Sequence, residues 1–190
     1  MALPSPRPEL GDEELLIAVA NTAHAEADEF TDAASVRDWW GGLTASAAER
    51  APVAPEGVAM LRALRRLIRA LALRNNGLEP DPGDTSGLDA LSLRLDLSGA
   101  PSLRADEPGD LARDVCAATV AALLRASARP SWPRIKACRG EDCRWVFLDA
   151  SRNSSRRWCA MADCGNRAKI AAFRTRHRGG PARSVRPAPH

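Results

Sequence analysis

The sequence predicts an α+β protein in two parts: a mainly helical N-terminal domain with a small β-hairpin, and a smaller C-terminal unit of β-hairpin and helix organised by cysteines. Three observations predict it. Apolar residues recur at three- and four-residue steps in several stretches before residue 130, the period of amphipathic helices. One stretch, 91–97, alternates instead, the period of a half-buried strand. Four of the five cysteines fall within residues 138–164, in two matched pairs.

Composition bounds the rest. The 190 residues are 45% hydrophobic and 27% charged, ordinary for a globular chain. The longest wholly apolar run, 15–20, is far too short to cross a bilayer, so no membrane partner is expected. Asp12, Glu13 and Glu14 stand where a secretory leader would need cations, which points to a cytoplasmic protein. Charge is strongly polarised. Residues 1–133 hold 13 arginines against 20 acids, a balance of −7, whereas residues 134–190 hold 14 Arg and Lys against 4 acids, a balance of +10. A basic unit on an acidic one predicts a polyanionic partner, a nucleic acid first among them.

The elements follow in order. Residues 1–9 carry three prolines and read as a flexible lead. A helix is predicted over 13–30, with acids near its start, and a second over 33–40, stopping at Gly41 and Gly42. The clearest helix follows Pro55: Val58, Leu61, Leu64, Ile68 and Leu71 form its apolar stripe, and Arg62, Arg65, Arg66 and Arg69 a wet basic face. Asn75–Asn76–Gly77 should end it, because Asn and Gly tolerate the left-handed cap. Leu91, Leu93, Leu95 and Leu97 alternate with polar residues as one strand, and 102–105 returns as the other. A helix over 111–125 closes the domain, with Cys116 beside its stripe as a small buried residue. Pro130 and Pro133 then mark a boundary, so residues 10–129 form one unit and 134–178 the next. Residues 179–190 read as a flexible basic tail.

Cys138, Cys143, Cys159 and Cys164 are spaced C-x4-C-x15-C-x4-C. Two short pairs, each able to turn two thiolates inward from one knuckle, suit a single Zn²⁺ ion better than disulfides in a reducing compartment. Four sulfurs close a tetrahedral shell and leave no position for water, so the ion is structural. A unit this small lacks a sufficient core, and metal binding stands in for it. Trp145, Val146, Phe147 and Leu148 suit a strand, and with Trp158 on a second arm they predict a β-hairpin between the two cysteine pairs. After Cys164, Gly165 permits a tight approach and Asn166 caps a last helix. Knuckle, hairpin, knuckle and helix make a treble-clef-like arrangement.

Residues 138–169 (CRGEDCRWVFLDASRNSSRRWCAMADCGNRAK) resemble the CGNR zinc finger, named for the stretch that here is Cys164–Gly165–Asn166–Arg167. Residues 10–129 resemble, more weakly, the ABATE domain that precedes this finger in bacterial proteins described as stress-induced transcription regulators. The points of likeness are Asn21–Thr22 and the helix at 62–73. The resemblance implies a DNA-binding regulator whose N-terminal domain senses a ligand or dimerises.

Candidate functional residues sort accordingly. Arg152, Arg156 and Arg157 surround the polar loop after Asp149, and Arg167, Lys169, Arg174 and Arg176 follow the last cysteine; together they offer phosphate contacts. Arg167 has a second reading, a bridge to Asp149 or to a backbone carbonyl. Asn21 and Thr22 either crosslink helix to strand or line a pocket for a small-molecule effector. A homodimer would suit half-site recognition. A protein- or RNA-binding adaptor is the alternative function. No enzyme is expected: three histidines, and no H-E-x-x-H, P-loop, G-x-S-x-G or H-x-E deaminase element, leave no catalytic constellation.

Overall fold

The computed structural model describes residues 10–45, 48 and 50–178; the expected lead at 1–9 and tail at 179–190 lie outside them. The fold is α+β, mostly helical, with three separate two-stranded antiparallel ribbons. The elements are α1 (Asp12–Ala20), β1 (Ala23–His24), β2 (Ala27–Asp28), α2 (Ala33–Thr44), α3 (Pro55–Asn75), β3 (Leu93–Asp96), β4 (Ser102–Ala105), α4 (Leu111–Ser127), β5 (Ile135–Ala137), β6 (Val146–Leu148) and α5 (Asn166–Arg178). No helix among the described residues is long and apolar enough to cross a membrane.

Helices α1, α3 and α4 pack on one another around Leu16, Val19, Leu61, Leu64, Ile68, Leu111 and Val115, all fully buried or nearly so. Each such side chain contributes roughly 1.5–3 kcal/mol by leaving water. The α3–α4 crossing is close because Gly57 has no side chain: a methyl there would lie 2.7 Å from the Ala112 Cβ. Asp110 fixes the same corner. One carboxylate oxygen caps α4 by accepting from Arg113 N at 3.0 Å, and the other accepts from Ala54 N, ahead of α3, at 2.6 Å. At its far end α3 closes as expected. Gly77, at φ 74°, donates its N–H to the Arg74 carbonyl, and Leu78 donates to that of Leu73, a Schellman cap.

Within residues 10–129, four sequence expectations need correction. The first helix ends at Ala20, not near residue 30. There Thr22 turns its hydroxyl back onto the Val19 carbonyl, and the chain folds into the tight β1–β2 ribbon through Ala25 at φ 53°. The second helix runs through Gly41 and Gly42 to Thr44, whose hydroxyl donates to the Trp40 carbonyl; burial of Val36 and Trp40 outweighs the glycines' poor propensity. The β3–β4 ribbon has its expected partners, Leu93 opposite Ala105 and Leu95 opposite Leu103, but Leu95 and Leu97 are exposed rather than turned to a core.

The arginine row of α3 is the fourth. Arg62 donates to the carbonyls of Phe30 and Thr31, Arg66 to that of Asp84, and Arg69 to those of Ala20 and Ala23. Arg65 is buried, forks onto both oxygens of Asp28 at 2.6 and 2.9 Å, and reaches Thr22 at 3.2 Å. The row is a set of clamps that gathers residues 20–31 and 84 onto α3, not a wet face.

Candidate metal centre and cationic helix

β5 and β6 pair in the register Ile135–Leu148, Lys136–Phe147 and Ala137–Val146. Cys138 N extends the ladder by donating to Trp145 O at 2.8 Å, and Cys143 N closes the turn between by donating to Gly140 O at 3.2 Å. The hairpin therefore encloses the first cysteine pair. This corrects the expectation of a hairpin between the pairs: the strand at 145–148 is present, but its partner precedes Cys138. The reason is the buried face of 135–137, where Ile135 and Ala137 join Val146 in the core of the helical domain.

The second pair is brought up by the loop 149–158. Asp149, 0% exposed, organises that loop by accepting from Lys136 Nζ at 2.7 Å, Ser151 N at 2.9 Å, the Ser151 hydroxyl and Arg156 N. Burial alone would raise its carboxyl. Lys136, itself 5% exposed, and then the Ser151 and Arg156 donors hold it far below the usual carboxylate range. The pair was not singled out in the sequence; Lys136 and Asp149 are 13 residues apart and meet through the β5–β6 register.

All four cysteines are free thiols, and their sulfurs lie within 4.8 Å of one another. Cys143 and Cys159 sulfurs stand 3.5 Å apart, and those of Cys159 and Cys164 3.7 Å. A tetrahedron with metal–sulfur bonds of ~2.3 Å has edges of about 3.8 Å, whereas a disulfide would need about 2 Å. Three of the cysteines are buried, and Phe147 and Trp158 pack against the group. Gly140 belongs to the cradle: a Cβ there would sit 3.2 Å from the Cys143 Cβ and within 3.6 Å of two of the sulfurs. The donor set fits one metal ion in a closed four-sulfur shell.

The stretch 164–167 has a role for each side chain. Cys164 gives the fourth sulfur. Gly165 lies where a methyl would strike the Met161 sulfur, so the wide helical turn Met161–Gly165 can close only around glycine or a displaced Met161. Asn166 is already helical and donates Nδ2 to the Ala162 carbonyl at 2.9 Å; it staples that turn to α5 instead of capping a new helix. Among the described residues Arg167 reaches neither Asp149 nor a carbonyl: its Nη2 donates to the Cys164 sulfur at 3.0 Å. Burial pushes the Cys143 and Cys159 thiols up. It would raise Cys164 too, but the Arg167 guanidinium, helped by the neighbouring sulfurs, brings that thiol below its ordinary value. Cys116, far from this charge in the helical core, is pushed up to about 12 by burial and is an inert packing residue.

The centre is bolted to the helical domain through amides. Asn21 pairs with β6 as a strand residue would: its Nδ2 donates to Val146 O at 2.9 Å and its Oδ1 accepts from Val146 N at 2.8 Å. Asn75 Nδ2 donates to the carbonyls of Trp132 and Ile135, and Asn76 Nδ2 to those of Ala137 and Arg157. Trp145 leaves the finger and sets its ring edge-to-face with His24 at 5.3 Å. Asn21 and Thr22 are thus placed as a helix-to-strand link and a buried partner of Arg65, and neither lines the cavity between α1 and α4.

The expected cationic residues divide into two groups. Arg156, itself exposed, folds back onto its own loop. It donates to the Trp158 and Cys159 carbonyls, and its guanidinium lies 4.5 Å over the Phe147 ring. Arg167 is occupied at Cys164. Arg152, Arg157, Lys169, Arg174 and Arg176 are exposed. The last three belong to α5, whose one substantial packing partner among the described residues is the turn before it. Every described side chain of α5 except Ala168 is exposed, Ile170 at 51% and Phe173 at 55% included. At 100° per residue, Ile170, Phe173 and His177 share one stripe, with Arg167 and Arg174 along one flank and Lys169 and Arg176 along the other. His177 stacks on Phe173, ring centroids 3.9 Å apart.

Residues 134–177 match the CGNR zinc finger family, a span less than a quarter of the chain. No curated protein matches the chain.

Proposed function

From a chain whose residues 134–177 are a CGNR zinc finger, we propose a DNA-binding transcription regulator in which one structural Zn²⁺ ion holds α5 out as the DNA-contacting element. Cys138, Cys143, Cys159 and Cys164 would bind the ion. Four thiolates saturate it, so it supplies rigidity and leaves no open position for activating water. On this reading the protein is not an enzyme.

The observation that carries the proposal is the exposure of every described side chain of α5 but Ala168. A lone helix of 13 residues is marginal in water, and its stability rises when a partner covers it. Its cations on both flanks suit a polyanion and disfavour a second copy of the same helix. A helix about 10–12 Å across fits the DNA major groove, about 12 Å wide. In that pose Arg174 on one flank and Lys169 and Arg176 on the other meet the two phosphate ridges, and Ile170 and Phe173 face the base edges, where thymine methyls offer apolar contact. Arg152 and Arg157 extend the cationic surface. Arg156 and Arg167 keep structural roles. Residues 10–129 form the sensing or dimerising unit, to which the finger is fixed by Asn21, Asn75 and Asn76.

Titration of fluorescent duplex DNA at several salt concentrations tests this. Neutralising four or five phosphates predicts a slope of log K against log salt of roughly −4, at about −0.9 per phosphate. Replacing Lys169, Arg174 and Arg176 by Ala should flatten it by about 3. Absence of binding at low salt overturns the proposal, and displacement of DNA by single-stranded RNA or an acidic polypeptide at equal charge would favour the adaptor reading.

A further inference from the structure

Between the start of α1, the ribbon strand β4 and the alanine-rich side of α4 lies a cavity of about 270 Å³. It is close to the lower bound of small-molecule pockets, about 300 Å³, and larger than an apolar cavity of about 150 Å³ that takes up benzene. Its walls are mainly apolar: Leu15, Trp40, Leu111 and Val115 are buried side chains, and Leu103 of β4 covers them from the other side. The space exists because α4 presents Ala117, Ala118 and Ala121 where longer side chains would fill it.

Four charged residues line it, and three are neutralised by protein groups. Asp12 is held by Arg125 at 2.6 Å and by Arg129 at 2.7 Å, and Arg104 is held by Asp96. Asp114 is different. Its Oδ2 accepts from the Gly109 N–H at 3.1 Å, and among the described residues it has no ion pair with Arg or Lys. Burial pushes its carboxyl up; the Gly109 N–H and the charge of Arg104, itself paired with Asp96, offset this only in part, and neighbouring Asp110 adds to it. A half-buried carboxylate in an apolar wall is complementary to a cation that brings its own apolar body.

We propose that this cavity binds a small organic cation, with an ammonium group on Asp114 and the apolar body seated among Leu15, Trp40, Leu103 and Leu111. The site belongs to the helical domain and does not depend on what α5 binds. Its occupant would bridge α1 and α4; α1 leads directly into Asn21, which holds β6 of the finger.

The test uses the full, metal-loaded chain without DNA, so its failure is separate from failure of the DNA proposal. Benzylammonium, benzyl alcohol and benzoate, matched in shape and different in charge, are titrated by calorimetry and ligand-observed magnetic resonance. Benzylammonium should bind at least about fivefold tighter than the alcohol, and benzoate not detectably, through one charge-assisted hydrogen bond. Asp114→Asn should bring ammonium and alcohol to equal affinity while keeping the fold. Ala118→Leu, which fills the space, should remove both. Equal affinities for the unaltered chain, insensitivity to either substitution, or no binding by any of the three would overturn the proposal.

Discussion

A single guanidinium, that of Arg167, ties the first turn of α5 to the metal-binding sulfur of Cys164. Donors to a ligating thiolate tune metal affinity as second partners of ligating histidines do, typically by 10–100-fold. Arg167→Ala should therefore weaken metal binding by about tenfold in competition with a chromophoric chelator, with Arg167→Lys restoring part of it. Another paired charge gives a pH test away from the metal. Arg65's fork, followed by the Phe30 N–H, holds the Asp28 carboxyl below its ordinary 3.8 against the opposing effect of burial. A carboxylate depressed in the folded state stabilises it above its unfolded pKa and loses that contribution as pH falls through the folded value. The stability gap between the unaltered chain and Asp28→Asn should be about 2 kcal/mol and flat from pH 5 to 7, then close below about pH 4. Chemical denaturation across that range measures it. Neither contact was legible in the sequence. The spacing C-x4-C-x15-C-x4-C placed four thiols at one point, because a metal demands them there. Which arginine of twenty-five serves a sulfur, a carboxylate or a carbonyl is decided by tertiary approach, and no local pattern carries it.

At the scale of elements, periodicity was informative where one face is buried and silent where the partner is backbone. The apolar stripe of α3 and its cap at Gly77 were readable from local chemistry alone. Its arginines looked like a solvated face, yet Arg69 spans 49 residues to the Ala20 carbonyl. The β6 strand was visible as an apolar run, while its partner β5, only three residues long, lay hidden before the first cysteine. Helix α5 is different: its large apolar residues, Ile170 and Phe173, are exposed. Few tertiary contacts mean cheap opening. The amides of α5 should exchange with solvent orders of magnitude faster than those of α3, and gain protection when duplex DNA is added. Hydrogen exchange followed residue by residue measures both. Protection of α5 equal to that of α3 without DNA would mean that another surface covers it.

At the scale of the molecule, the polarised charge acquires a spatial meaning. The acidic helical domain ties Arg62, Arg65, Arg66 and Arg69 to its own carbonyls and to Asp28, and the basic C-terminal unit leaves Arg152, Arg157, Lys169, Arg174 and Arg176 at the surface. The two parts suggested by Pro130 and Pro133 share a core, since Ile135, Ala137 and Val146 pack with Leu61, Leu64 and Ile68. A metal centre set on that core transmits its rigidity to α5 through the turn 161–165. Everything downstream depends on four sulfurs holding one ion. The zinc-edge X-ray absorption spectrum of protein purified without oxygen tests this most directly. One zinc per chain with four sulfur neighbours at about 2.3 Å is the predicted result. A shell containing oxygen or nitrogen, or metal well below one per chain, would contradict it.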